Sequence, residues 1–264
     1  MSEPEQTRVL LVEDSPGDAR LVEIMISEGG DPEAYRIDHA EDLAHGLARL
    51  AKAEYHVVLL DLSLPDSHGL ETVETVLDAA PTVPIVVLTG NADDALALSA
   101  VQRGAQDYLV KGEGDGRAIR RAISYAIERV RAEEALRNSE TRFRALFQEA
   151  ALGIMLGDPD GRAVQVNPAL ADMLGYQPEV MQGRTIAEFA HPDERERISE
   201  RLDALRARGE GSEQLDARLV RRDGALAWGR MSVSAVEDSH GQPLFLIALV
   251  EDVTERREME DRLR

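Results

Sequence analysis

Apolar residues in the first half of the chain fall into short runs that alternate with helical patterns. Four runs have the character of central strands in a parallel sheet covered on both faces. They are Arg8–Val12, Val57–Leu60, Ile85–Leu88 and Tyr108–Val110. The helical stretches between them are Ala19–Glu28, Leu43–Ala51, Leu70–Ala80 and Asp94–Arg103. Residues 1–130 therefore predict a doubly wound α/β domain with a five-stranded parallel sheet and a site at the carboxyl ends of its strands.

The middle of the chain carries a long helical pattern. A glycine-rich hinge, Lys111–Gly116, is followed by a segment from Arg117 to about Phe147 without proline or glycine. Two sets of positions follow 4,3 spacing, with a shift in phase between them. They are Ile119, Ile123, Ala126 and Val130, then Ala132, Leu136, Ser139, Phe143 and Leu146. This pattern is compatible with amphipathic helices packed on their own domains and with a dimeric coiled-coil connector. The apolar positions form only a narrow stripe along the helix, which favours the connector.

The second half changes to an α+β pattern with turns of the hairpin type. The predicted strands are Gly153–Leu156, Ala163–Val166, Gln214–Val220, Ala227–Val236 and Leu244–Val253. The predicted turns are Asp158–Gly161, Arg222–Gly224 and Asp238–Gly241, and the short helices are Pro168–Leu174, Glu179–Met181 and Pro192–Arg208. These elements predict one antiparallel five-stranded sheet, followed by an exit helix that Thr254 caps. Because the exit helix stops in mid-pattern, we expect the chain to be a fragment of a longer protein.

Composition narrows the classes of function. The formal net charge is −20, of which residues 1–114 contribute −15 and the remaining residues −5. The absence of cysteine excludes disulfides, thiolate–zinc sites and cysteine nucleophiles. No apolar run approaches the roughly 18 residues of a membrane span, and no signal segment is visible. We therefore expect a cytoplasmic protein without a membrane partner, and its acidity disfavours direct binding to nucleic acid.

Chemically useful side chains follow four of the predicted strands. Glu13 and Asp14 follow the run that ends at Val12, Asp61 follows the run that ends at Leu60, Thr89 the run that ends at Leu88 and Lys111 the run that ends at Val110. These strand ends converge at one edge of a parallel sheet, and three clustered carboxylates favour a hard cation such as Mg²⁺ or Mn²⁺. A lysine and a threonine opposite that cation suit the oxygens of a phosphoryl group attacked by a carboxylate.

Residues 1–130 closely resemble the receiver domain of two-component response regulators, which has a flavodoxin-like fold. Four ordered motifs carry the resemblance: LLVEDS (10–15), LLDLSLPDSHGLE (59–71), VVLTG (86–90) and DYLVK (107–111). The resemblance implies that Asp61 accepts phosphate from a histidine-kinase phosphohistidine. It also implies roles for the residues around Asp61. Mg²⁺ would be bound by Asp14, Asp61, the Ser63 backbone carbonyl and, through water, Glu13; Thr89, Lys111 and the Gly90 amide would hold the phosphoryl oxygens; Tyr108, with Thr89, would form the aromatic switch.

Two features qualify this resemblance. The family usually has proline after the lysine, and Gly112 stands there, so this loop lacks the constraint that proline imposes. Mg²⁺ phosphatases of the haloacid-dehalogenase type use similar strand-end residues. They place an acidic residue two positions after the nucleophile, where this chain has Ser63. That difference disfavours the phosphatase.

Residues from about 140 to 255 resemble a PAS domain with its PAC segment. The motifs are RFRALFQEAALGIMLGDPDG (142–161), VNPALADMLGY (166–176), HPDER (191–195), RRDGALAW (221–228) and LVEDVTERRE (249–258). Without cysteine, a flavin–cysteine photoadduct is impossible. His191 and His240 are the histidines available to haem here, and we interpret both as surface residues. We interpret Met155, Met173 and Met181 as core. The PAS ligand stays unknown, and a solid core without a ligand is the preferred interpretation.

The resulting hypothesis is a signalling protein with a receiver domain (1–130), a helical connector (131–147), a PAS/PAC domain (148–255) and the start of an exit helix (256–264). The expected partners are a sensor histidine kinase or phosphotransfer protein and, through connector and PAS, a second copy. With no separate catalytic output domain visible, we expect a phosphoacceptor with slow self-dephosphorylation rather than an enzyme. The alternative is a ligand-sensing PAS module of a larger kinase or cyclic-dinucleotide enzyme whose output domain lies beyond residue 264.

Overall fold

A computed structural model gives the structure of the protein and describes residues 6–28, 34–90, 94–112, 115–208, 211–238, 240 and 243–263. The chain divides into two compact units, residues 1–138 and 139–264, and each is described by itself. Parts of two predicted segments lie outside the described residues. Glu113 and Gly114 belong to the glycine-rich hinge, and Ser239 and Gly241 belong to a predicted turn.

The first unit contains a five-stranded parallel sheet in the order β2-β1-β3-β4-β5. Its strands are β1 (Thr7–Val12), β2 (Tyr35–Ala40), β3 (Val57–Asp61), β4 (Ile85–Thr89) and β5 (Asp107–Val110). Its helices are α1 (Pro16–Ser27), α2 (Leu43–Leu50), α3 (Leu70–Ala79), α4 (Asp94–Gln102) and α5 (Gly116–Glu149). This order and the helices between the strands confirm the predicted doubly wound fold.

Apolar side chains cover both faces of this sheet because successive strand residues point to opposite sides. Leu10 and Leu60 pack in one core, whereas Val9, Leu11 and Leu59 pack in the other. Each of these side chains is fully buried. The continuous apolar runs in the sequence are the consequence, since neither face of the central strands contacts water.

Helix α1 begins at Pro16, directly after the capping residue Ser15, and not at Ala19 as the sequence pattern predicted. The Ser15 side-chain oxygen accepts a hydrogen bond from the Asp18 backbone amide at 3.3 Å, and Pro16 occupies the first turn. Proline fits there because its missing N–H has no partner within the helix. The start of α1 therefore lies directly beside Glu13 and Asp14.

Helix α5 is one continuous helix of 34 residues. Its first part packs on the parallel sheet through Ile119, Ala122, Ile123 and Ala126. All residues from 131 to 146 are exposed, including Leu136, Phe143 and Leu146. The second half of the predicted stripe thus presents apolar side chains to solvent.

The second unit contains the predicted five-stranded antiparallel sheet, in the order β7-β6-β10-β9-β8. Its strands are β6 (Gly153–Gly157), β7 (Ala163–Val166), β8 (Ser212–Val220), β9 (Leu226–Glu237) and β10 (Pro243–Asp252). Its helices are α6 (Pro168–Leu174), α7 (Pro178–Met181), α8 (Pro192–Arg208) and α9 (Thr254–Arg262), with a 3₁₀ turn at Ile186–Phe189. Large, fully buried side chains, among them Phe189, Leu170, Leu174 and Met181, fill the core of this unit.

The start of the exit helix differs from the prediction in one detail. Thr254 is the first residue of α9, and its side chain does not cap the helix. The Thr254 hydroxyl oxygen instead accepts a hydrogen bond from the Trp228 backbone amide at 2.8 Å. The prediction was wrong because neighbouring strand β9 offers an amide that the local sequence does not reveal. None of the helices in the described ranges contains a segment long and apolar enough to cross a membrane.

Asn167 joins β6, β7 and α6 from a fully buried position. Its side-chain oxygen accepts hydrogen bonds from the amides of Ile154 at 2.7 Å and Leu170 at 3.0 Å, and its side-chain nitrogen donates to the Leu152 carbonyl at 2.9 Å. One buried side chain therefore satisfies three backbone groups.

We expect Asn167→Ala to lower the free energy of unfolding of the second unit by about 3 kcal/mol, because three backbone groups lose their partner. Urea unfolding followed by tryptophan fluorescence measures this, since Trp228 is the single tryptophan of the chain. The exposed Gln182 provides a control, and Gln182→Ala is expected to change the midpoint little. Equal midpoints for Asn167→Ala and wild type would contradict the role of Asn167.

Candidate functional site

The carboxyl ends of β1, β3, β4 and β5 meet at one edge of the parallel sheet. In the strand register Val12 pairs with Leu60, Asp61 with Leu88, and Thr89 with Val110. Residues far apart in sequence thereby become neighbours. Ligand oxygens of Glu13, Asp14 and Asp61 all lie within 4.8 Å of one another.

The three carboxylates differ in their solvent exposure and in their hydrogen bonds to the backbone. Glu13 is fully buried and Asp61 is 4% exposed, whereas Asp14 is exposed. One oxygen of each buried acid accepts a backbone hydrogen bond: Glu13 Oε1 from the Ser15 amide at 3.2 Å, and Asp61 Oδ1 from the Ser63 amide at 3.1 Å. The other oxygen of each acid is directed to a cationic partner.

Lys111 is that partner. Its Nζ lies 2.5 Å from Glu13 Oε2 and 2.7 Å from Asp61 Oδ2, and 3.5 Å from Asp18 Oδ2. The lysine side chain is 21% exposed, so solvent screens these charges only in part. The sequence had not indicated Asp18, a residue of the first turn of α1, as a neighbour of this lysine.

Burial and charge shift the pKa values of two of these groups. Burial raises the pKa of Glu13, the Asp61 charge adds to that effect, and Lys111 opposes it. Burial acts to lower the pKa of Lys111, but its hydrogen bonds and ion pairs with Asp61 and Glu13 outweigh burial, so its pKa is raised. The lysine is therefore held as an ammonium between the two buried carboxyl groups.

Thr89 and Tyr108 lie beside this edge on β4 and β5. Thr89 is 3% exposed, and its hydroxyl donates to the Gly90 carbonyl at 2.9 Å. The Lys111 amide donates to the Thr89 carbonyl at 2.7 Å, which joins the ends of the two strands. Tyr108 is partly buried and packs against the core that contains Leu60 and Val87.

Gly112 stands directly after Lys111, where the family usually has proline, and its backbone conformation is one that proline cannot adopt. Its φ is +78°, a left-handed conformation that glycine adopts freely. Proline is locked near −65° and cannot adopt it. The segment after Lys111 in this chain is therefore built on a backbone conformation different from the one that proline imposes.

The donor set fits a hard divalent cation. Carboxylate oxygens supply all three ligand groups, and Mg²⁺ and Mn²⁺ prefer oxygen ligands. Burial and, after it, the charge of Asp61 raise the pKa of Glu13, and a cation among these oxygens relieves both the desolvation and the repulsion. The acidic cluster of Glu13, Asp14 and Asp61 is thus suited to bind a divalent metal.

The second unit shows a filled core around the positions considered as ligand sites. Met155 and Met181 are buried in that core, and Met173 packs against it. His191 lies at the start of α8, where its Nδ1 accepts a hydrogen bond from the Asp193 amide at 3.3 Å. The His240 side chain is 83% exposed. His240 is thus a surface residue, as interpreted from the sequence, whereas His191 at the helix start is partly buried, with 26% of its side chain exposed.

Comparisons with known proteins agree with this architecture. A family model for the response regulator receiver domain matches residues 9–124, and one for the PAS domain matches residues 151–255. Sensor histidine kinase TmoS of Ectopseudomonas mendocina is 24% identical over 98% of this chain and 30% of TmoS. Transcriptional regulatory protein ResD of Bacillus subtilis (strain 168) is 31% identical over 42% of this chain and 44% of ResD.

Among solved structures, a response regulator receiver domain protein from Clostridium thermocellum is similar to part of this chain. It is 21% identical, with a TM-score of 0.43, and the match covers 48% of this chain and 98% of that one. The chain spans less than half the length of the two curated relatives named above.

Proposed function

We propose that this chain, a receiver domain followed by a PAS domain, is a phosphorylation-controlled signalling protein. In this proposal Asp61 accepts a phosphoryl group from the phosphohistidine of a sensor histidine kinase or phosphotransfer protein. The observation that carries the proposal is the buried Asp61 carboxylate, held at 2.7 Å from Lys111 Nζ beside two further acids. This arrangement pairs a carboxylate nucleophile with cationic and acidic groups at one strand edge.

Each side chain has a defined task in the transfer. An Asp61 oxygen forms a bond to phosphorus while the bond from phosphorus to the donor imidazole nitrogen breaks, and the imidazole leaves. The Ser63 amide, at 3.1 Å from Oδ1, orients the carboxylate. Lys111 then turns from Asp61 Oδ2 to a phosphoryl oxygen, where its point charge offsets the negative charge of the transferred group.

Thr89 and a metal ion are the remaining groups that would contact the phosphoryl group. The Thr89 hydroxyl exchanges the Gly90 carbonyl for a phosphoryl oxygen, with the Gly90 amide alongside, and Tyr108 turns inward as Thr89 moves. Asp14, Asp61, the Ser63 carbonyl and, through water, Glu13 would hold Mg²⁺ or Mn²⁺. When bound, this ion neutralises phosphoryl oxygens and the clustered carboxylates. No separate catalytic output is proposed, and the acyl phosphate is lost by slow self-dephosphorylation.

The proposed signal path uses α5, which runs unbroken from Gly116 to Glu149. Its exposed apolar side chains at Leu136, Phe143 and Leu146 suit contact with a second copy, so we propose a homodimer through the connector and the PAS domain. A groove of about 610 Å³ beside Phe143 and Phe147 adds apolar surface within the second unit. Phosphorylation would shift the relative populations of two arrangements of this helix pair.

At the other end of the PAS domain, the exit helix is held to the sheet. The Arg257 guanidinium lies 4.1 Å from the centre of the Trp228 ring and 2.5 Å from Asp216 Oδ2. Arg230 pairs with the same aspartate at 3.2 Å. Strands β8 and β9 therefore have a direct mechanical connection to α9, the element through which we propose that the PAS domain passes its state onward.

A second candidate function is a ligand-sensing PAS module of a larger signalling enzyme. The match to a sensor histidine kinase over 98% of this chain, but only 30% of that kinase, favours it. A purified protein that carries a coloured or mass-detectable ligand, and whose behaviour is independent of Asp61, would support this candidate over the first.

We expect stoichiometric, Mg²⁺-dependent phosphorylation of wild-type protein by acetyl phosphate, and none of Asp61→Asn. Intact-mass spectrometry measures the incorporation, and beryllofluoride binding provides a second readout. Asp78→Asn, at an exposed position of α3, serves as a control for loss of an aspartate elsewhere in the same unit. Equal modification of wild type and Asp61→Asn, or an unmodified wild type, would overturn the proposed phosphoacceptor. Repeated turnover of phosphate esters would indicate a phosphatase.

A further inference from the structure

The segment from Leu62 to Gly69, which we call the β3–α3 loop, follows the proposed phosphoacceptor directly. Two backbone hydrogen bonds close the loop on itself: the Gly69 amide donates to the Leu62 carbonyl at 2.7 Å and the Leu64 amide to the Ser67 carbonyl at 3.1 Å. Leu62 and Leu64 are buried at 3% and 0% exposure. These hydrogen bonds and buried side chains connect the outer end of the loop to its start, so a contact that holds the outer end also restrains Ser63 beside Asp61.

Asp66 lies at this outer end and reaches across to α2. Its Oδ1 accepts a hydrogen bond from the Leu43 amide at 3.0 Å, and its Oδ2 accepts one from the Ala44 amide at 2.9 Å. These amides belong to the first turn of α2, whose N–H groups have no partner within the helix. A carboxylate there also interacts favourably with the positive end of the helix dipole.

The first turn of α2 already has a cap of its own. Asp42 is the N-cap residue, and its Oδ1 accepts from the His45 amide at 2.7 Å. Asp42 and Asp66 thus divide the free amides of one helix end between them. Asp42 is part of the local sequence of α2, whereas Asp66 connects α2 to the β3–α3 loop.

Helix α2 is itself tied to the metal-binding side of the site. It follows β2, and the Glu13 amide donates to the Ala40 carbonyl at the end of β2 at 2.9 Å. His39, also on β2, donates from Nε2 to the Glu13 carbonyl at 2.7 Å. Through Asp66, the loop that carries Ser63 is therefore linked to the segment that carries Glu13.

We propose that Asp66 is a positioning residue, which fixes the β3–α3 loop against α2 and thereby sets Asp61 and the Ser63 carbonyl for the cation and the phosphoryl group. This inference rests on the proposed function of Asp61. It concerns a residue outside the acidic cluster, since Asp66 contacts amides of α2 rather than the ligand groups.

The test compares Asp66→Ala with Asp42→Ala. Each variant removes one carboxylate from the same helix end, but only Asp66→Ala releases the loop. We expect Asp66→Ala to weaken Mg²⁺ binding and slow phosphorylation by acetyl phosphate by about tenfold, as loss of an outer partner of a metal site typically does. Asp42→Ala is expected to stay within about twofold of wild type in both, and Asp66→Asn, which keeps one acceptor oxygen, to recover part of the loss.

Amide hydrogen exchange in metal-free, unphosphorylated protein gives a readout independent of activity. Asp66→Ala should accelerate exchange at Leu43, Ala44 and Ser63 together, whereas Asp42→Ala should affect His45 without Ser63. Equal Mg²⁺ affinities and phosphorylation rates for the two alanine variants, or unchanged exchange at Ser63 in Asp66→Ala, would overturn the positioning role. Failure of wild type to be phosphorylated would instead count against the proposed function, because the exchange comparison does not depend on it.

Discussion

Lys111→Ala is expected to slow phosphorylation of Asp61 by acetyl phosphate at least about a hundredfold, the loss typical when one group that stabilises a developing charge is removed. The reason is geometric. Lys111 Nζ lies within 2.7 Å of oxygens of Asp61 and Glu13, so it is the ammonium next to the reacting carboxylate. Its removal leaves the incoming phosphoryl group facing carboxylates without that charge.

The chain offers a matched control, because Lys52 is the only other lysine in the sequence and is exposed in the turn that follows α2. Lys52→Ala should be phosphorylated at the wild-type rate. Lys111→Arg keeps the charge but replaces a compact ammonium with a planar guanidinium, and we expect it to retain less than about a tenth of the wild-type rate. Rates from intact-mass spectrometry test this order. A Lys111→Ala rate close to that of wild type would mean that the lysine holds the metal-free structure and not the phosphoryl group.

The same substitution has a consequence for stability. Without Lys111, the buried carboxyl groups of Glu13 and Asp61 lose the cation between them, and an unpaired buried charge is costly. A divalent cation in the cluster would supply positive charge in its place. Ligand binding to the native state stabilises it increasingly with occupancy, so Mg²⁺ should raise the melting temperature of Lys111→Ala more than that of Lys52→Ala.

The strand-end residues were predictable because the pattern that places them is local. Continuous apolar runs identify the central strands, and parallel strands bring their carboxyl ends together. Strand β2, Tyr35–Ala40, has the sequence YRIDHA and alternates polar with apolar residues. As an edge strand it is covered less completely, so its pattern did not single out a residue range, although the fold required a strand there.

Residues that act through distant amides were not predictable in this way. Asp18 in the first turn of α1 has the ordinary appearance of an acid near a helix start, where the helix dipole favours it, and its approach to Lys111 depends on the position of β5. Asp66 is an acidic residue in a loop, and its partners lie 22 and 23 residues away in the sequence.

One local signal was overlooked in the sequence. Thr185 and Glu188 have the spacing of a capping box, and the structure shows this box at the start of the 3₁₀ turn Ile186–Phe189.

Gly116→Ala is expected to lower the free energy of unfolding of the first unit by about 3 kcal/mol, at the upper end of overpacking costs. A Cβ at this position would lie 1.8 Å from the Met25 carbonyl oxygen. That oxygen cannot easily withdraw, because the Arg120 guanidinium binds the end of α1 through the carbonyls of Met25, Ile26 and Glu28 at 2.9, 3.1 and 2.6 Å. The start of α5 and the end of α1 thus meet backbone to backbone.

Gly17→Ala provides the control, since Gly17 also lies in the first turn of a helix but a Cβ there meets only Ser15 Oγ, at 3.8 Å. It should be neutral or slightly stabilising, by about 0.4–1 kcal/mol, because alanine restricts the unfolded chain more than glycine does. Far-UV circular dichroism follows both units, whereas Trp228 fluorescence follows the second alone. Gly116→Ala should move the first-unit transition and leave the fluorescence transition in place. An unchanged first-unit transition would mean that α5 can start elsewhere, and then the helix could not carry a strict positional signal from Lys111 toward the PAS domain.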